Sequence, residues 1–213
     1  MIARALDAGV PCSWVLGDAV YGADKRRRMM LEERGTPSLL AIRGNDKLWS
    51  VLDGHIGQHK PEALAKALPG EAWQRLSAGS GAKGERLCDR AWARLFRLQE
   101  PPWDHWLLVR RSIADPTDLA YFVGFGPDDT TLATLARVAG RRWIVEECFE
   151  AAKQEVGWAD YEVRSWRGWH RHVTLAMLAL AFLAALRAKL NAAKGAEPPV
   201  SLSSLSACLR SAA

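Results

Sequence analysis

Apolar positions along this chain change their spacing several times, and each change predicts a new element. Residues 10–16 (VPCSWVL) form a dense apolar run ending at Gly17-Asp18, and Ser38–Ile42 (SLLAI) form another, closed by Arg43-Gly44-Asn45. Both runs predict buried strands. Between them, residues 25–34 (KRRRMMLEER) predict a helix that starts near Ala23-Asp24 and stops at Gly35. Residues 1–8 look like the tail of an earlier helix. An acid, Asp18, therefore stands at the carboxyl end of the first strand of a strand–helix–strand unit, where sites gather in open α/β sheets.

From residue 46 the pattern weakens. Residues 61–68 predict a short helix, 77–84 (SAGSGAKG) a flexible glycine-rich loop, and 90–98 an exposed strand. Residues 106–112 and 119–125 predict a strand pair, joined by a turn-forming stretch at 114–118. Helices are predicted over 130–138, 141–156 and 172–190. These elements divide the chain into a core segment (1–45), a largely β insertion (46–126), a catalytic-helix and C-terminal-helix segment (127–192) and a polar tail (193–213).

Composition narrows the class. With 49% hydrophobic residues the chain is globular. A net charge of +5 and ten tryptophans, some beside arginine as at Trp143 and Trp166, favour an anionic partner such as DNA without requiring one. The four cysteines lie far apart, which suits a reducing cytoplasm and suggests no zinc site. No leader is expected at the N-terminus. The longest apolar run, residues 173–186, has 14 residues. A span needs about 20, so this run predicts a buried helix and no membrane.

Candidate chemistry concentrates in residues 142–153. With Arg142 set at zero on a helical wheel, Glu146 falls near about 40° and Lys153 near about 20°, in one stripe. Ile144, Val145, Cys148, Phe149 and Ala152 occupy the neighbouring arc, so Glu146 rather than Glu147 or Glu150 borders the apolar face. A carboxylate there can hold a cation, and flanking cations can meet phosphates. The same stripe is also what an ordinary solvated helix face looks like. Likewise, Asp18 suits a helix cap as well as a ligand.

The spacing Arg142, Glu146, Lys153 resembles the signature around the catalytic Glu of cut-and-paste bacterial insertion-sequence transposases, the DDE enzymes. Residues 14–22 (WVLGDAVYG) resemble the second-Asp motif of that group, and residues 160–172 (DYEVRSWRGWHRH) with the following apolar helix resemble its end. The resemblance covers residues 10–187. It implies an α/β, partial ribonuclease-H-like fold with a β-rich insertion before the Glu and helices at the C-terminus. It also implies that Asp18 and Glu146 are catalytic metal ligands, that Arg142 and Lys153 bind DNA phosphates, and that two Mg²⁺ (or Mn²⁺) ions serve the complete site. Expected partners are transposon-end and target DNA, and a second copy or a full-length transposase.

Two departures from the group's pattern have consequences. Ala139 stands where the group has Tyr, three residues before the Arg. No first Asp is visible: only nine residues precede Val10, and Asp7 lies on an apparent helix. The expectation is a C-terminal part of a transposase, inactive alone and with its first strand's edge open to aggregation. The alternative is a non-catalytic DNA-binding fragment that pairs with full-length transposase.

Other candidates are weaker. His55 and His59 have helical metal-pair spacing, but Gly54 and Gly57 argue against a helix. Residues 79–84 lack a P-loop's ending. Lys25–Arg28 suit a solvated face, or DNA contact near Asp18. His170 and His172 suit DNA contact or packing. Trp103 and Trp106 are candidates for base stacking by location only.

Overall fold

The computed structural model describes residues 1–81, 84–96, 102–162 and 164–193. In chain order the elements are α1 (Ile2–Asp7), β1 (Val15–Gly17), α2 (Ala19–Gly22), α3 (Lys25–Glu33), β2 (Ser38–Ile42), β3 (Leu48–Leu52), β4 (His55–His59), α4 (Pro61–Ala67), β5 (Gln74–Gly81), β6 (Gly84–Arg94), β7 (Trp103–Arg111), β8 (Leu119–Pro127), α5 (Leu132–Arg141), α6 (Trp143–Val156) and α7 (Trp166–Ala193). They form two compact units, one of Ser13–Arg142 and one of Met1–Cys12 with Trp143–Ala213.

The larger unit is built on a six-stranded sheet of order β1-β2-β8-β7-β6-β5. β1 runs parallel to β2, and every other pair is antiparallel. Strand pairing thus continues from residues 15–42 straight into 74–127, and Ser38 of β2 stands opposite Phe125 of β8. One face packs Ile42, Leu107, Val109, Tyr121 and Val123 against Leu48 of β3 and Leu64 of α4. The other packs Leu39, Trp106, Leu108 and Phe122 against Leu132, Leu135 and Val138 of α5. On β7 the odd and even positions fall into these two clusters, as the two-residue period of a strand requires.

Local chemistry explains the boundaries. Asp24 caps α3, accepting from the backbone N–H of Arg26 at 3.0 Å and Arg27 at 3.3 Å. Gly35, at φ +56°, ends it beneath the ring of Trp103. Glu32 of α3 reaches the fully buried His105 of β7, with 3.1 Å between carboxylate and imidazole. Thr131 caps α5 by accepting from Thr134 N–H.

Several expectations need correction. The first strand is only Val15–Gly17, not 10–16. Gly9 at φ +69° ends α1, the Val10 N–H turns back to the Ala5 carbonyl, and Pro11 has no N–H to offer a ladder. The first strand does lie at a sheet edge, though a short one. The glycine-rich stretch at 77–84 is not a loop up to Gly81: it pairs with β6 across a bulge between Ser77 and Ser80, with Gly79 at φ +100°. The strand foreseen as exposed buries Arg90 and Ala91, and residues 97 and 98 of that expectation lie outside the described residues. The β3–β4 hairpin was not foreseen. It turns on Asp53 (φ 50°) and Gly54 (φ 77°), two left-handed residues in a two-residue loop.

The smaller unit contains α1, α6 and α7. Ala152 of α6 is buried, as are Ala176 and Ala184 of α7, while Leu175, Leu178, Phe182 and Leu186 are exposed. The expectation of a buried terminal helix therefore does not hold. α7 has 28 residues, far more than the 14-residue apolar run within it, and Trp166–Leu190 is long and apolar enough to cross a bilayer by length and composition. Run length thus gives no ground for excluding a membrane.

Candidate active site

Asp18 follows β1 directly, so its position is fixed by the strand's pairing with β2. Its backbone is extended (φ −78°, ψ −177°) and it serves as the N-cap of α2. Oδ1 accepts from Val20 N–H at 2.9 Å and Tyr21 N–H at 3.3 Å. The capping role weighed for this residue is thus real, and it holds the side chain in one orientation while leaving it exposed. Two glycines set the turn around it. A Cβ on Gly17 would stand 3.0 Å from the Leu40 side chain, and one on Gly22 would collide with the Ala41 carbonyl. Only glycine lets α2 lie this close to β2.

The next turn is also tied down. The Arg27 guanidinium lies 4.4 Å from the centre of the Tyr21 ring and 3.7 Å from Asp24. Segment 18–27 is therefore one braced corner at the end of the sheet.

Glu146 lies in the first turn of α6, exposed, and Lys153 in its last turn, also exposed. Seven residues make two turns, so both stand on one face of that helix. The acid near the positive helix end and the cation near the negative end each suit the macrodipole. The inward face is carried by Ala152, with Ile144, Cys148 and Val156 half-buried, whereas Val145 and Phe149 are exposed. The buried arc is thus narrower than the apolar arc and does not extend to the side next to Glu146.

Arg142 does not belong to α6. The foreseen helix began at Arg141, but Arg141 closes α5 and Arg142 is the residue after it, its N–H bonded to Ala139 O at 3.3 Å. That i→i−3 bond tightens the turn and separates the two helices. Arg142 belongs to the larger unit with Asp18, and Glu146 and Lys153 to the smaller.

Beyond α6, Gly157 at φ +62° turns the chain, and Trp158 stacks on Phe149 with ring centres 4.9 Å apart. His172 Nε2 lies 3.1 Å from Gly157 O, and its ring stacks on Tyr161 at 5.0 Å. His172 therefore packs within its unit, whereas His170 is exposed and meets Trp166 and Trp169 edge-on. Trp106 is buried against Trp92, and Trp103 is stacked on Phe125. Buried Trp106 offers no open ring face for a base. His55 and His59 stand on strand β4, and His59 Nδ1 lies 2.9 Å from Ser50 Oγ.

Among the described residues no group of three or more His, Cys, Asp or Glu stands together as a metal site. One oxygen of Asp18 is already committed to capping α2. Among the described residues the donor set thus falls short of a two-cation centre.

No curated protein matches the chain. A family described as the transposase DDE domain matches residues 4–182. That match covers most of the chain, so the protein belongs to the DDE transposase family, and its six-stranded mixed sheet with C-terminal helices is a partial ribonuclease-H-like fold of that family.

Proposed function

We propose that this chain acts in DNA transposition, with Asp18 and Glu146 as two of the carboxylates of a Mg²⁺- or Mn²⁺-dependent strand-cleavage and strand-transfer site. The observation that carries this reading is Asp18 itself, held by a cap at the carboxyl end of β1 inside a family match running from residue 4 to 182. Arg142 and Lys153 contact phosphates of transposon-end and target DNA in the same reading. Two carboxylates are fewer than a bridged two-cation site requires. The chain alone therefore binds DNA and does not cut it.

Mobility shift with element-end DNA at low and high salt, beside a nicking assay with Mg²⁺ or Mn²⁺, tests this. Salt-sensitive binding without nicking is the expected result. Nicking that Glu146→Gln abolishes refutes the inactivity, and no binding at low salt refutes the function.

A second reading, a non-catalytic DNA-binding fragment that pairs with a full-length transposase or a second copy, is favoured by α7. Its exposed Leu175, Leu178, Phe182 and Leu186 recur at helical spacing. Co-elution with a full-length transposase on size exclusion supports it. In both readings the protein is cytoplasmic and α7 packs against protein rather than lipid. Support comes from the polar start of α7, where Arg167 and Arg171 are exposed and His172 bonds to Gly157.

A further inference from the structure

Arg90 lies on β6, a strand paired along both edges with β5 and β7, and is only 2% exposed. It stands directly opposite Gln74 of β5 and Arg110 of β7, so two arginines share one face of the sheet. The acid next to it on the strand, Asp89, points to the other face, where Arg75 and Arg111 hold it. Asp118 bonds to Arg110 Nη2, at 3.0 and 3.2 Å. Nε and Nη1 of Arg90 and Nε of Arg110 are buried with no hydrogen-bond partner among the described residues. Burial lowers the Arg90 pKa from its ordinary value and Arg110 adds to that, yet arginine keeps its proton in proteins. A charge this deep is costly unless it is paired.

We propose that Arg90 and Arg110 form a binding site for one small free oxyanion, of the phosphate, sulfate or carboxylate class, held on the Arg90 fork and the Arg110 Nε. Two guanidiniums set opposite each other repel, and an anion between them reverses the sign of that interaction. Planar N–H forks match oxyanion geometry, which favours such ions over chloride. Water can accept the hydrogen bonds but cannot offset the charge. Depth sets the size of the ligand: a phosphate tied into a duplex backbone is too bulky to follow nitrogens this far in. The site is thus separate from any DNA contact, and it does not rest on the transposition reading.

The probe is inorganic phosphate, titrated calorimetrically into the full chain at neutral pH and constant ionic strength set with chloride. Saturable binding of one phosphate per chain is the expected result. Arg110→Gln, at a side chain 32% exposed and so the variant expected to fold normally, should weaken it at least about tenfold, the worth of a charge-assisted bond. Arg90→Met, which refills the buried space with an apolar chain, is expected to abolish it. Arg90→Lys keeps the charge without the fork and is expected to weaken it. Lys66→Gln removes the same charge from an exposed position on α4 and is expected to change the affinity by less than about twofold. Equal losses in Arg110→Gln and Lys66→Gln overturn the proposal. So does the absence of saturable binding, which leaves water as the partner of these nitrogens. Release of bound phosphate by excess duplex DNA also overturns it, since the nitrogens then belong to a DNA surface.

Discussion

Gly22 packs so tightly on Ala41 that a Cβ at position 22 would collide with the Ala41 carbonyl oxygen. The colliding atom is backbone in the middle of β2 and cannot swing aside. Gly22→Ala is therefore expected to cost about 1–3 kcal/mol, the usual range for overpacking, as α2 is pushed off the sheet. Gly70→Ala, where a Cβ meets nothing within 4 Å, is expected to stay within about 0.5 kcal/mol. Urea denaturation of the two variants checks the difference.

The two roles of Asp18 can be separated by substitution. Asn can cap as Asp does, so Asp18→Asn is expected to keep stability within about 0.5 kcal/mol, while Asp18→Ala loses about 1 kcal/mol with the cap. Glu146→Gln, at an exposed position, is expected to leave stability unchanged within about 0.5 kcal/mol. If Asp18→Asn proves as damaging as Asp18→Ala in chemical denaturation, the cap account is wrong.

Acid sensitivity has a defined contributor in Asp89. A hydrogen bond from Arg75, at 3.0 Å, holds the Asp89 carboxyl below its ordinary range, and Arg111 adds to the effect. A folded-state value below the unfolded one, about 3.9, means that the contribution is complete above that pH. It is lost as pH falls through the lower, folded value. Asp89→Asn is expected to flatten this part of the stability profile below about pH 4. A stability curve of unchanged slope in Asp89→Asn would remove the assignment.

Cysteine reactivity should follow environment. Burial, with the Glu147 carboxylate adding to it, pushes the Cys148 thiol up, so it stays protonated at neutral pH and is a poor nucleophile. Cys12 is exposed. Peptide mapping after brief iodoacetamide treatment at neutral pH is expected to find Cys12 labelled well before Cys148. The reverse order contradicts the burial described for α6.

The parts legible in the sequence were those whose signals are local. Asp24 before a charged helix and Gly35 after it set α3 within a residue of its observed ends, and SLLAI gave β2 exactly as dense apolar runs do when both sheet faces are covered. The motif glycines around Asp18 marked its corner, but the contacts of Gly22 with Ala41 could not be read from spacing. The β3–β4 hairpin carried a usable signal in Asp53-Gly54, which the weak periodicity on either side hid. A break between helices over 130–138 and 141–156 was legible at Gly140, but its place was not: α5 runs on through Gly140 to Arg141, and the bond from Arg142 N–H to Ala139 O sets the break two residues later.

The pairing of Ser38 with Phe125 bears on the order in which the structure assembles. β5 to β8 pair with their sequence neighbours, whereas β2 must find β8 across most of the unit, and β1 lies at the edge beyond it. The three residues of β1, at the sheet's edge, are expected in native-state hydrogen exchange to be among the first in the sheet to release their partners. The corner bearing Asp18 is thus expected to loosen with the edge strand that leads into it, before the centre of the sheet does.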